Sequence, residues 1–183
     1  MRDTAILAVQ YGAGLRRAEV VALDLADLDR DSGALRVHGK GNKERLAYVP
    51  QGGRLALDEW LALRGVEPGP LFWPIGRTGI PTPGRPSCQA ILYIARRRGT
   101  AARVATFSPH DLRRSFISDL LDAGADLSAV ADLAGHAQVE TTRRYDRRGE
   151  AAKQRAATLV HVPYDGRRRG ASESRKEVGA GSS

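Results

Sequence analysis

A chain of 183 residues, 42% hydrophobic and 27% charged, is long enough to bury one good core, and one domain is the default. Lys and Arg number 29 against 21 Asp and Glu, a formal net charge of +8 with a pI near 10.2, which favours a polyanionic partner: nucleic acid first, an anionic membrane surface second. Cys88 is the only cysteine, so an internal disulfide framework and a thiolate zinc site are excluded, and no apolar run suits a signal peptide or a membrane span, so the expected location is cytoplasmic.

Thr4 to Tyr11 (TAILAVQY) reads as a short buried helix, followed by a Gly-Ala-Gly break at 12–14. A second helix is expected from near Leu15, because Leu15, Ala18, Val21, Ala22 and Leu25 recur at helical spacing. The period then changes to two. ALRVH and ERLAYVP alternate apolar and polar residues around the turn GKGNK, which predicts an antiparallel β-hairpin near 34–50 with Lys40 at its tip. Residues 54–64 form the next amphipathic helix, and the Pro- and Gly-rich stretch 65–86 reads as a loop around Leu71, Phe72 and Trp73. Gln89 to Arg98 is helical. Ser108-Pro109 opens a helix that runs to about Ala123, with Ser at the N-cap and Pro in the first turn. Asp126 or Ser128 caps another that Gly135 closes, VETTRRY makes a further short one, and GEAAKQRAATLV the last. From Tyr164 the chain turns to Arg, Ser, Gly and charge, and residues 164–183 read as a disordered basic tail. Its five basic and three acidic residues add only +2, so most of the charge belongs to residues 1–163. The expected class is α+β, mainly α-helical.

Several residues at element boundaries suit work on a phosphate. In HDLRRSF, His110 and Arg113 are three apart, about 60° around a helix axis, in a first turn where the helix dipole favours an anion. Arg16 stands three before Glu19 at another helix start, which fits an anion contact or a surface ion pair. Lys40, between two glycines, can reach a phosphate or donate a proton; it also fits an exposed turn lysine. His136 follows Gly135 at a helix end, the place of a C-capping histidine. Tyr145 comes nine residues later among Arg143, Arg144, Arg147 and Arg148. Basic neighbours stabilise a phenolate and attract phosphate; taken alone, the stretch fits better as a solvated basic helix with one half-buried tyrosine. Together, two arginines, two histidines, a lysine and a tyrosine fit metal-free phosphoryl transfer, with cationic side chains in the place of a metal. Neither GAG nor GKGNK matches a nucleotide-binding glycine loop, and no carboxylate cluster suggests a metal.

These residues resemble the tyrosine recombinase, or phage integrase, family over residues 4–158. YGAGLRRAEVVALDLADLD is similar to the family's first box, with Arg16 as catalytic arginine and Glu19 as its acidic companion. GKGNKER is similar to its catalytic hairpin, with Lys40 as the lysine. HDLRRSF resembles its H-x-x-R box, giving His110 and Arg113, with Arg114 where the family usually has a second histidine. LAGH gives His136, and TTRRY the nucleophile Tyr145. The resemblance implies the family's catalytic-domain fold over residues 1–163. Met1 lies fifteen residues before Arg16, so the N-terminal core-binding domain is expected to be absent, with a separate chain or an accessory DNA-bending protein as possible helper.

The resemblance further implies site-specific recombination of double-stranded DNA through a 3′-phosphotyrosine link, without metal or other cofactor. It implies a homo-tetramer on DNA, in which the last helix, with its stripe of Ala151, Ala152, Ala156 and Leu159, docks on a neighbour or on its own domain. A non-catalytic DNA-binding remnant and a type IB topoisomerase are the alternatives; the box and hairpin patterns are more like an integrase.

Overall fold

A computed structural model describes residues 1–39 and 44–159. The expected hairpin tip with Lys40, and the expected tail from Tyr164, lie outside the described residues. Residues Met1–Arg148 form one unit, and Gly149 onward a second. The order in the first is α1 (Arg2–Gly12), α2 (Arg17–Ala22), a 3-10 turn (Leu25–Asp27), β1 (Ala34–His38), β2 (Glu44–Tyr48), α3 (Gln51–Arg64), α4 (Cys88–Ala101), α5 (Pro109–Asp122), α6 (Leu127–Ala134) and α7 (Val139–Arg143). In the second, α8 spans Gly149–Thr158. The class is the expected one: mostly helical, with a two-stranded antiparallel sheet pairing Ala34 with Tyr48 and His38 with Glu44. No helix among the described residues is long and apolar enough to cross a membrane.

The main core is built where the sequence alternations point inward. Ile6 and Val9 of α1, Leu35 and Val37 of β1, Leu57 and Trp60 of α3, and Ile91 of α4 close around Leu71 and Phe72 from the loop. Large side chains of this kind stabilise by about 1.5–3 kcal/mol each when fully buried. The loop is organised by Arg64, only 3% exposed. Its guanidinium lies 4.4 Å from the Trp73 ring centre and donates to the carbonyls of Gly65, Glu67, Gly69 and Pro70. Trp60 Nε1 donates to Leu71 O at 2.9 Å. A second cluster joins Phe116, Ile117 and Leu121 of α5 to Val130 and Ala134 of α6.

Several helix bounds depart from expectation: α3 starts at Gln51 rather than residue 54, α7 ends at Arg143 rather than Tyr145, and α2 and α4 differ for reasons the packing shows. Helix α2 was expected from Leu15 through Leu25; it begins at Arg17 and ends at Ala22. Tertiary pairing overrides the helical period, because Leu25 N donates to Gly69 O at 2.8 Å and Leu71 N donates to Leu23 O at 2.9 Å. Helix α4 starts at Cys88, capped by Ser87 Oγ accepting from Ala90 N at 3.1 Å, and continues through Gly99 to Ala101. Gly99 is kept helical by packing: a Cβ there would lie 2.6 Å from Phe107. The Gly-Ala-Gly break has a steric purpose too. Gly14 takes φ +62, and a Cβ on it would meet the Phe116 ring at 2.4 Å, so glycine lets α5 close on the start of α2.

Candidate active site

Each candidate is fixed by local capping chemistry first. Arg16 is the extended residue before α2. Its N–H donates to Glu19 Oε2 at 2.8 Å and its Nη1 to Glu19 Oε1 at 2.7 Å. Ser108 precedes α5, and its N–H and hydroxyl both donate to Asp111 Oδ2, at 3.0 and 2.6 Å. That reciprocal turn sets the helix start and places His110 exposed in the first turn, with Arg113 one turn on and only 4% exposed. Asp126 opens α6 by accepting from Ser128 N and Ala129 N. Gly135 ends it in the left-handed region, which turns the chain so that His136 follows at once.

The C-terminus of α6 is where these pieces meet. Its last carbonyls lack helical partners and carry the negative end of the helix dipole. Arg45 Nε donates to Leu133 O at 3.1 Å, Arg113 Nη2 donates to Ala134 O, and Arg16 Nη2 donates to Gly135 O at 3.1 Å. Three successive carbonyls thus seat three arginines from three different elements. Arg113 Nη1 also donates to Gly14 O. Each guanidinium has five N–H donors, so Arg16 and Arg113 keep donors for a phosphate. Together with His110 and Leu92 they line a cleft of about 380 Å³.

His136 leaves the same turn. Its Nδ1 is 2.8 Å from the hydroxyl of Thr142, a fully buried α7 residue. Tyr145 N donates to Thr142 O at 2.9 Å, so one threonine positions both the histidine and the tyrosine's main chain. Tyr145 is half-buried against the α5–α6 cluster. It stands just beyond the end of α7, with Arg143, Arg144 and Arg147 exposed around it. Asp146 and Arg148 pair beside it, and Arg148 Nη1 reaches Ala125 O at 3.2 Å. That tie holds the segment after Tyr145 against the α5–α6 turn.

The charges act on one another strongly. Burial first, then the neighbouring Arg16 and Arg45, pull Arg113 down to about 10, with Glu19 opposing and Tyr145 opposing more weakly; it stays protonated at neutral pH. Burial tends to raise the Glu19 carboxyl, but hydrogen bonds from Arg45 and Arg16 outweigh it and leave the pKa lowered. Burial, then Arg113, Arg16 and Arg45, lower His136 from 6.5 to about 4, so its ring is neutral at pH 7. The sign for stability follows. Below pH 6.5 the unfolded chain takes up a proton at this ring and the folded chain does not, so stability falls as pH drops from 6.5 toward 4. Thermal unfolding across that range should show a smaller acid loss for His136→Gln than for the parent; an equal loss would count against the buried neutral ring.

Of the six expected residues, Arg16, His110 and Arg113 share one cleft, and His136 and Tyr145 are coupled electrostatically to its arginines. Lys40 lies outside the described residues. Arg45 and Thr142 were not foreseen. Arg45 sits opposite Val37 in the hairpin, at a position whose period-2 alternation points inward, and an inward arginine was the available signal.

The sequence profile of the phage integrase family matches residues 1–151. Tyrosine recombinase XerC of Pseudomonas aeruginosa is 44% identical over 147 residues, covering 79% of this chain and 46% of the relative; XerC of Azotobacter vinelandii is likewise 44% identical over 79% of this chain and 47% of its own length. The chain therefore spans about half the length of the curated relatives it matches. The crystal structure of XerA recombinase superposes with a TM-score of 0.69 at 27% identity, over 89% of this chain and 59% of that one. The fold that carries the three seated arginines is thus that of a tyrosine recombinase catalytic domain, and the chain belongs to the phage integrase family.

Proposed function

We propose that the protein carries out site-specific DNA recombination or integration, cutting and rejoining strands through a 3′-phosphotyrosine on Tyr145. The observation that carries this reading is the single cleft in which Arg16, His110 and Arg113 converge, with Tyr145 close enough to act on Arg113. Tyr145 Oη forms a bond to phosphorus as the bond to the 5′-oxygen breaks. Arg16 and Arg113 hold the non-bridging oxygens through paired N–H donors and stabilise the charge that develops there. His110 assists removal of the phenolic proton. Lys40 supplies the proton that leaves with the 5′-hydroxyl. With the Thr142 hydroxyl donating to Nδ1, His136 keeps an Nε2–H for a phosphate oxygen. Attack by a second 5′-hydroxyl reverses the sequence on another strand, so the energy of the broken bond is retained in the phosphotyrosine and no cofactor is required.

Double-stranded DNA is the proposed partner, and the basic composition supports it. XerH, whose structure is that of a recombinase bound to its difH substrate in a pre-cleavage complex, superposes with a TM-score of 0.66 at 25% identity, over 86% of this chain and 46% of that one. Residues 1–163 act as the catalytic domain in the cytoplasm, followed by a basic tail over 164–183. A core-binding unit or DNA-bending protein completes the grip on the duplex, and four copies assemble on DNA, with residues 149–160 docking between them. Deleting residues 149–183 should abolish the four-copy complex in native gels while leaving single-copy DNA binding; an unchanged complex would remove α8 from the interface. The reading as a whole is tested by trapping. The protein is mixed with nicked duplexes, denatured, digested, and Tyr145 is examined by mass spectrometry for an attached nucleotide.

A further inference from the structure

Arg45 ends the GKGNKER stretch of the hairpin and is none of the six residues given a chemical role, yet it touches what holds Arg16. Its side chain is 14% exposed. Nη1 and Nη2 donate to the two oxygens of Glu19 at 3.1 and 3.0 Å, and Nε to Leu133 O at 3.1 Å. Glu19 in turn holds Arg16 by main chain and side chain. Gly135, whose carbonyl receives Arg16, lies against the same guanidinium: a Cβ there would stand 3.0 Å from Arg45 Nε and 3.1 Å from its Cδ and Cζ. One planar group therefore backs both of the anchors that orient Arg16.

We infer that Arg45 is a positioning residue for DNA cleavage, acting through Glu19 and the α6 carbonyls to hold Arg16 toward the phosphate; this rests on the recombinase reading above. The charge count explains why a second arginine is needed. Glu19 is only 7% exposed. Paired with Arg16 alone, it would neutralise that guanidinium and draw it off the cleft. Shared between two guanidiniums, it leaves a net positive charge for a substrate. A buried carboxylate stripped of one cationic partner is also strongly destabilising. Arg45 shares its hairpin with Lys40, so a role in serving the leaving group is the rival that the experiment must separate.

Adduct formation is followed in single turnover, using the full 183-residue chain and nicked duplexes of randomised sequence. The scissile linkage carries either the normal 5′-oxygen or a 5′-bridging sulfur, which leaves as a thiolate without needing a proton. Arg45→Met should slow attachment about a hundredfold on both substrates, the size of losing one transition-state stabiliser. A parental rate overturns the inference, as does recovery confined to the sulfur substrate, which would assign Arg45 to the leaving group. Arg45→Lys keeps the charge and one contact to Glu19. It should restore the thermal midpoint yet stay about tenfold slow, because the two-pronged contact is lost; full recovery of rate overturns the inference. Inorganic phosphate is the second probe, and its dissociation constant by calorimetry should rise about tenfold in Arg45→Met. If the parent alone forms no adduct, phosphate decides: affinity unchanged by Arg45→Met, or no phosphate uptake by the parent, overturns the role of Arg45.

Discussion

Replacing Tyr145 by Phe should abolish covalent attachment to DNA while leaving DNA affinity and thermal stability close to the parent's. The ring packs against the cluster of Phe116, Ile117, Leu121, Val130 and Ala134, and phenylalanine keeps that packing. No hydrogen bond to the tyrosine hydroxyl is formed among the described residues, so its removal leaves no buried partner unsatisfied. The hydroxyl is, in the proposed mechanism, the atom that bonds to phosphorus. A detergent-stable adduct in the Phe variant would move the nucleophile elsewhere. The phenylalanine variant also separates binding from cutting. If it binds duplex DNA as well as the parent does, the arginine cleft grips phosphate independently of the attack.

Arg113→Lys should lower the cleavage rate about a hundredfold or more, a loss of roughly 3 kcal/mol in transition-state stabilisation. An ammonium cannot reproduce the fork. Arg113 spans from Gly14 O to Ala134 O while keeping further N–H groups for the substrate, and a point donor cannot span both carbonyls and a phosphate in the same plane. Burial also weighs differently on the two groups. Arg113 is pulled down to about 10 and still charged at neutral pH; a lysine starts from about 10.4 and in the same surroundings loses charge far sooner. The residual activity of the Lys variant should therefore fall as pH rises through neutrality. Near-normal cleavage would remove Arg113 from the phosphate grip.

What was legible in the sequence was whatever local chemistry fixes. Ser108 and Pro109 announce α5 because capping needs only the next three residues, and Gly135 announces the end of α6 because the left-handed turn is a property of that one residue. The hairpin follows from its alternation. The candidate site residues were proposed through resemblance; of those described, Arg16, His110, His136 and Tyr145 sit at such boundaries, and Arg113 lies one turn inside α5. The early end of α2 was not legible, because the pairing of Leu23 and Leu25 with residues 69 and 71 is invisible to a helical period. Arg45 was hidden for the same reason. Its partners lie 26 and 88 residues away, so the alternation that turns it inward does not say what receives it. Thr142 looks like any polar helix residue until the fold brings His136 onto it.

The three carbonyls that end α6 also bear on how the chain matures. They take arginines from 21, 88 and 119 residues away, so the seat is made from contacts of high sequence separation, the slow kind to form. A ribosome that has finished α5 has already made Arg16, Arg45 and Arg113, but not the backbone that seats them, and three guanidiniums without that backbone repel one another. Synthesis of residues 133–135 completes the seat, and Tyr145 emerges only afterwards. The order of translation thus makes the arginines first and their seat second: a nascent chain holds neither the seated arginines nor the tyrosine that follows them, and both are in place only once residues 133–145 have been made.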